Sequence, residues 1–358
     1  MGRRFPESLP SFRNDFQRDR DRIVHSRAFR RLEDKTQVFP AGISDHFRNR
    51  LTHTLEVTQL ARTAARVLGL DEDFTEALAL AHDIGHPPFA HSGEEALNRM
   101  MQRYGERFEH NVQALRIVEQ YEHRYAMYPG LNLTFEVREG IVKHSRDLPA
   151  GEKGPLAEYL PGLRPPLEAQ LIDLVDEIAY NTADVDDAHD AGFFKLRELA
   201  AEVPVAGEIL EEIETQFPGA EERIQLHEMQ RRLIDHLMRG LMDGTIAAST
   251  GIADVKAIRE HPKRLARFTA EAAATSKALK KFLHARVYHT EILLEERKHS
   301  TAAIEKLFEY FMEHPAQLPE GEGTTARRVA DYVASMTDGY FRRMYGQYAG
   351  QFTPTLRS

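Results

Sequence analysis

The sequence predicts an all-α protein. Apolar residues recur at three- and four-residue intervals through most of the 358 residues, and strand-like runs are few and short. Stop signals also fall where the periodicity lapses. Residues 51–69 place Leu51, Leu55, Leu60, Ala64 and Leu68 at helical spacing and end at Gly69. Residues 73–86 read as a buried helix stopped by Pro87-Pro88, because proline lacks an N–H and its ring clashes with the preceding turn. The same periodicity predicts helices near 92–103, 109–121, 134–145, 167–187, 194–202, 206–216, 220–241, 264–286, 300–313 and 324–345. Only Ile246–Ile252 and the Val38-Phe39 neighbourhood suggest short strands. Leu148–Pro166 and Pro315–Gly323 are Pro/Gly-rich breaks, too short and too varied for domain linkers, and no internal repeat is present.

Composition narrows the function. Hydrophobic residues make up 42% and charged residues 29%, as in an ordinary globular protein. The chain has no cysteine, which excludes disulfides, Cys-ligated metal and a Cys nucleophile, so any metal rests on histidine and carboxylate. No signal-like or membrane-spanning apolar run appears, so a cytoplasmic protein is expected. The net charge of −9 argues against wholesale coating of nucleic acid. Residues 1–50, however, hold 12 Arg or Lys against 7 acids. A local basic segment on an acidic protein suits a compact polyanion such as a nucleotide. Alternating Asp19-Arg20-Asp21-Arg22 also fits plain surface pairing.

The chemistry concentrates in Ala81–Glu95, AHDIGHPPFAHSGEE, which carries His82, Asp83, His86, His91 and Glu94. The adjacent His82-Asp83 pair closes the apolar run FTEALALA, so it sits at the edge of a core, where a polar pair needs a partner. Imidazole with carboxylate suits Mn, Fe, Mg, Co or Zn. Two partners are available: His53 on LTHTLEV, and Asp176 on LIDLVDEIAYNTADVDD. On the latter, Asp176, Tyr180 and Asp184 recur every four residues and share a stripe.

His53, His82-Asp83 and Asp176 match the H…HD…D pattern, and the chain resembles the HD phosphohydrolase superfamily. It is similar in particular to the deoxyguanosine triphosphate triphosphohydrolase-like (dNTP triphosphohydrolase) branch. The resemblance rests on DRDRIVHSRAFRRLEDKTQVF (19–39), RNRLTHTLEV (48–57), AHDIGHPPFAHSGE (81–94), FEHNVQALRI (108–117), DEIAYNTADVDD (176–187) and RRVADYVASMTDGY (327–340). These stretches run from end to end of the chain in the expected order.

The resemblance implies an all-α HD-domain fold. Residues 1–245 would form the phosphohydrolase core with its basic N-terminal segment, and 246–358 a C-terminal helical extension packed on it, or both a single domain. It implies that His53, His82, Asp83 and Asp176 hold one divalent metal (Mn, Mg, Fe, Co or Ni). His91 would be the catalytic histidine and Glu94 its carboxylate partner. His86 and His110 would line the triphosphate, and Gln37, Arg50, Lys143, Tyr180 and Asp184 would bind the nucleotide. Gln37 and Tyr180 would lie by the sugar. The implied reaction converts a dNTP to deoxynucleoside and inorganic triphosphate. Implied partners are the dNTP, an activating nucleotide, single-stranded DNA and further copies of the chain, with no membrane. The alternatives are an HD phosphohydrolase acting on nucleoside monophosphates or guanosine tetraphosphate, and a nucleotide-sensing or single-stranded DNA-binding module.

Overall fold

The computed structural model describes residues 2–7, 12–39 and 47–350. Among these, every regular element is helical, and pairing between extended segments is limited to the isolated bridges Arg3↔Thr134 and Thr36↔Asn49. Among the described residues, no helix is long and apolar enough to cross a membrane. The all-α expectation holds, with corrections to particular elements. Ile246 to Ser249 continue the long helix Glu222–Ser249 instead of forming a strand, and Val38-Phe39 lie in a bend beside the Thr36 bridge. The region 324–345 is two helices, Thr325–Ala334 and Asp338–Tyr348, each begun by a threonine cap. Near the N-terminus, Asp15–Val24 and Arg27–Arg31 are also helical. Asn14 and Gln17 exchange side-chain bonds with each other's backbone N–H at 2.7 and 3.2 Å, a capping box that satisfies two otherwise orphaned donors.

The chain groups into two compact units. The first comprises Met1–Leu55, Leu80–Val142 and Glu291–Ser358. Its core joins Leu97, Met101 and Phe108 to Ile304, Leu307, Phe308 and Phe311, and to Val329, Val333 and Phe341. Fully burying one such side chain contributes about 1.5–3 kcal/mol, so this cluster outweighs the exposed ion pairs Arg99–Glu305 and Arg103–Glu309 on its rim. The basic segment is absorbed here too. Arg3 reaches Asp15 and the buried Asp19, while Arg18 and Arg22 share Glu7. These arginines are held by carboxylates of their own unit, as simple charge pairing requires.

The second unit comprises Glu56–Ala79 and Lys143–Thr290. Leu167–Asp190, Glu222–Ser249 and Ala270–Leu283 pack together around Val175, Ile178, Leu233, Leu237, Leu279 and Phe282. Glu177 ties the first of these helices to the third through Lys280 at 2.6 Å and the Ser276 hydroxyl.

Candidate active site

The helix Glu72–Ala81 stops at Ala81, earlier than Pro87-Pro88 alone requires. His82 to His86 form a tight turn, in which the His86 N–H donates to the Asp83 carbonyl at 3.1 Å. Gly85 sets its path. A Cβ at Gly85 would stand 2.0 Å from the His110 carbonyl oxygen and 2.4 Å from the Ala114 nitrogen, so the turn runs directly against the backbone of the helix His110–Arg116. The approach stacks the His86 ring on that of His110, with centroids 3.9 Å apart and planes 16° from parallel.

Both histidines of the first unit's expected ligand set are buried. His53 and His82 lie edge to face at 5.9 Å, and each offers a ring nitrogen within 4.8 Å of one on the other. Asp83, also buried, accepts from Arg50 at 2.6 Å and meets His86 Nε2 at 3.1 Å. Burial opposes its charge, but the Arg50 guanidinium and the neighbouring His82 and His86 together outweigh burial and hold the carboxyl well below the usual range. For His86 burial and Arg50 act together, so its imidazole is neutral. Two imidazole side chains beside an ionised carboxylate are the donor types that a divalent ion takes, so these residues fit one.

Past the two prolines the backbone is strained. Phe89 and Ala90 are consecutive non-glycine residues at φ 61° and 54°, directly before His91. Gly93 completes the bend, since a Cβ there would meet the Pro88 carbonyl oxygen at 2.0 Å. His91 itself is exposed, yet the protein packed around it still lowers its pKa, and Arg50 adds to the effect. Glu94 accepts from the His110 backbone N–H at 2.8 Å and meets His110 Nδ1 at 2.9 Å. Burial would raise its pKa, but the His110 bonds and charge win and bring it down to about 2. Its hydrogen bonds therefore go to His110, while it acts on His91 through charge. Gln37 is buried, and its Oε1 has no hydrogen-bond partner among the described residues. Beside it, buried Lys35 donates to the His86 and Ala334 carbonyls. Burial first, then Arg31 and Arg50, push Lys35 down to about 7.

The first unit thus gathers Arg50, His53, His82, Asp83, His86, His91, Glu94 and His110. The second carries Lys143, Asp176, Tyr180 and Asp184. Asp176 and Tyr180 are half-buried and Asp184 is buried, four residues apart along Leu167–Asp190. Asp184 accepts from the Tyr288 hydroxyl, and the Tyr180 and Tyr288 rings lie 6.2 Å apart. Burial and then Asp184 push the Tyr288 pKa strongly up, so this phenol stays a donor. Tyr288 had no signal in the sequence: it ends a π-helical turn, His284–Tyr288, outside every motif. Lys143 is fully buried, and its ammonium donates to the Tyr159 and Leu160 carbonyls, each at 3.2 Å.

Residues 50–181 match the HD domain family, and residues 266–347 match the phosphohydrolase-associated domain. An Azoarcus protein named deoxyguanosinetriphosphate triphosphohydrolase-like is 45% identical over 95% of this chain and 91% of its own length. Similarly named proteins from Ralstonia nicotianae and Geobacter sulfurreducens are 44% and 41% identical, covering 95% and 97% of this chain and 89% and 92% of their own lengths. A helical fold with a buried His-Asp turn and these matches define a metal-dependent HD-domain phosphohydrolase. Within that class, the chain belongs to the deoxyguanosinetriphosphate triphosphohydrolase-like family.

Proposed function

We propose that the chain hydrolyses deoxynucleoside triphosphates to deoxynucleoside and inorganic triphosphate. The strongest support is the histidine cluster on the His82–His86 turn, in a chain whose relatives carry the triphosphohydrolase-like name. His53, His82, Asp83 and Asp176 would hold one divalent ion, with Mn, Mg, Fe, Co and Ni all compatible with such donors. When bound, the ion supplies Lewis-acid polarisation of a phosphoryl oxygen.

The chain's own residues do the rest. Arg50, His86 and His110 offer charge and N–H donors to the phosphate oxygens, where charge develops during phosphoryl transfer. His91, exposed and neutral near pH 7, moves the proton at the reacting oxygen, while Glu94 fixes the His110 ring. The buried, unpartnered Gln37 Oε1 supports a ligand donor there, and a sugar hydroxyl supplies one. Tyr180 and Asp184, with Tyr288 bound to Asp184, would bind the nucleotide. Lys143, its ammonium oriented by the Tyr159 and Leu160 carbonyls, would contribute positive charge toward the phosphates.

The family resemblance adds a cytoplasmic setting, assembly of several copies, an activating nucleotide and binding of single-stranded DNA. The test is turnover of all canonical dNTPs and NTPs, singly and in pairs, with metal-depleted and Mn- or Mg-supplied enzyme. Release of deoxynucleoside only with metal is expected. Turnover of nucleoside monophosphates but not triphosphates would refute the reading.

A further inference from the structure

The stretch RRVADYVASMTDGY contributes nothing to the proposed ligand and nucleotide residues, yet its Asp338 touches the backbone leading into His91. Asp338 opens the helix Asp338–Tyr348, is buried, and uses both carboxylate oxygens. Oδ1 accepts from the Phe89 N–H at 3.2 Å. Oδ2 accepts from the Thr36 N–H at 3.0 Å and from the Thr36 hydroxyl. One carboxylate therefore fixes the residue before Gln37 and the first of the two left-handed residues before His91.

The surroundings act the same way. Lys35 bonds the His86 carbonyl and, in the C-terminal segment, that of Ala334 at 3.1 Å. The Phe89 ring packs edge to face on Phe341, with centroids 5.1 Å apart. Two adjacent non-glycine residues at positive φ persist only where the surroundings over-determine them. Here the C-terminal helices do so.

We propose that Asp338 is a positioning residue for His91: by anchoring the Phe89 amide, it holds the strained turn that aims the histidine. This rests on the proton-transfer role given to His91 above.

Asp338→Asn tests it. The amide keeps the shape but has one acceptor oxygen for the two backbone N–H groups that face it. Misplacing a reacting group by about 1 Å costs roughly 100-fold, so kcat is expected to fall roughly 10- to 100-fold. KM and metal content should stay within about threefold, by the rule that transition-state-only interactions appear in kcat. Hydrogen exchange of the peptide 84–94 should accelerate. In the His91→Ala background, Asp338→Asn should cost less than about threefold, because groups acting as a unit are not additive. Losses that multiply fully, or a raised KM with intact kcat, would overturn the positioning role. A fully active His91→Ala would instead overturn the catalytic reading beneath it. Should Asp338→Asn not fold, the unmodified protein still decides: the Phe89 amide must exchange as slowly as the core helices, and fast exchange there refutes the anchor.

Discussion

At the residue scale, charge placement decides which groups can do chemistry. Packing and the Arg50 charge push His91 below its ordinary pKa of 6.5, and His110 adds to them. Glu94 and Asp83 pull the other way but do not prevail. The neutral imidazole is therefore the form present at pH 7. The rate should fall on acidification with a midpoint below 6.5, and a pH profile of kcat checks this. His91→Ala should lower kcat by roughly 10²–10⁴-fold with metal content unchanged, the usual worth of acid–base catalysis.

Glu94 carries a stability consequence as well. Its pKa lies near 2 in the folded chain against an ordinary 4.5, so the unfolded chain binds the extra proton first. Its contribution to stability is complete above about pH 4.5 and is lost as pH falls toward 2. Glu94→Gln should flatten the acid limb of a melting-temperature profile. It should also loosen His110, so that Glu94→Gln and His110→Ala together cost little more than the worse of the two.

At the scale of elements, one glycine sets the geometry of the site. Gly85→Ala forces a methyl into the His110–Arg116 backbone, which cannot yield as a flexible side chain can. Overpacking of this kind costs typically 1–3 kcal/mol and here should reach the top of that range, with the His86–His110 stack broken. Thermal unfolding together with kcat would show both losses.

This turn also marks the limit of what was legible in the sequence. The helices, the His-Asp pair and the His86–Glu94 stretch follow from periodicity and spacing. Neither the early stop at Ala81 nor the left-handed Phe89 and Ala90 do, because both come from backbone packing between segments distant in the chain. Likewise Glu94 meets His110 across sixteen residues of sequence, and Tyr288 meets Asp184 across 104. Such pairings are fixed by tertiary packing and leave no local pattern. Ile246–Ile252 misled for the opposite reason: its β-branched residues suit a strand, but the helix before it continues as far as Ser249.

At the scale of the whole molecule, the family match and the His-Asp turn make metal content the natural measure of an intact site. Asp83→Ala removes the carboxylate proposed as a ligand in the first unit and leaves Arg50 without that partner. The helical cores lie elsewhere, so circular dichroism should keep its helical signal while bound metal and turnover are lost. Elemental analysis of the purified variant checks this. Normal metal content would remove Asp83 from the ligand set.

The most direct test of the proposed reaction is hydrolysis of a dNTP in ¹⁸O-water, with chromatographic and mass identification of both products. Attack of water at Pα with cleavage of the bond to the 5′ oxygen gives intact inorganic triphosphate bearing one ¹⁸O, and an unlabelled deoxynucleoside. Pyrophosphate with a deoxynucleoside monophosphate, or orthophosphate with a diphosphate, would contradict it.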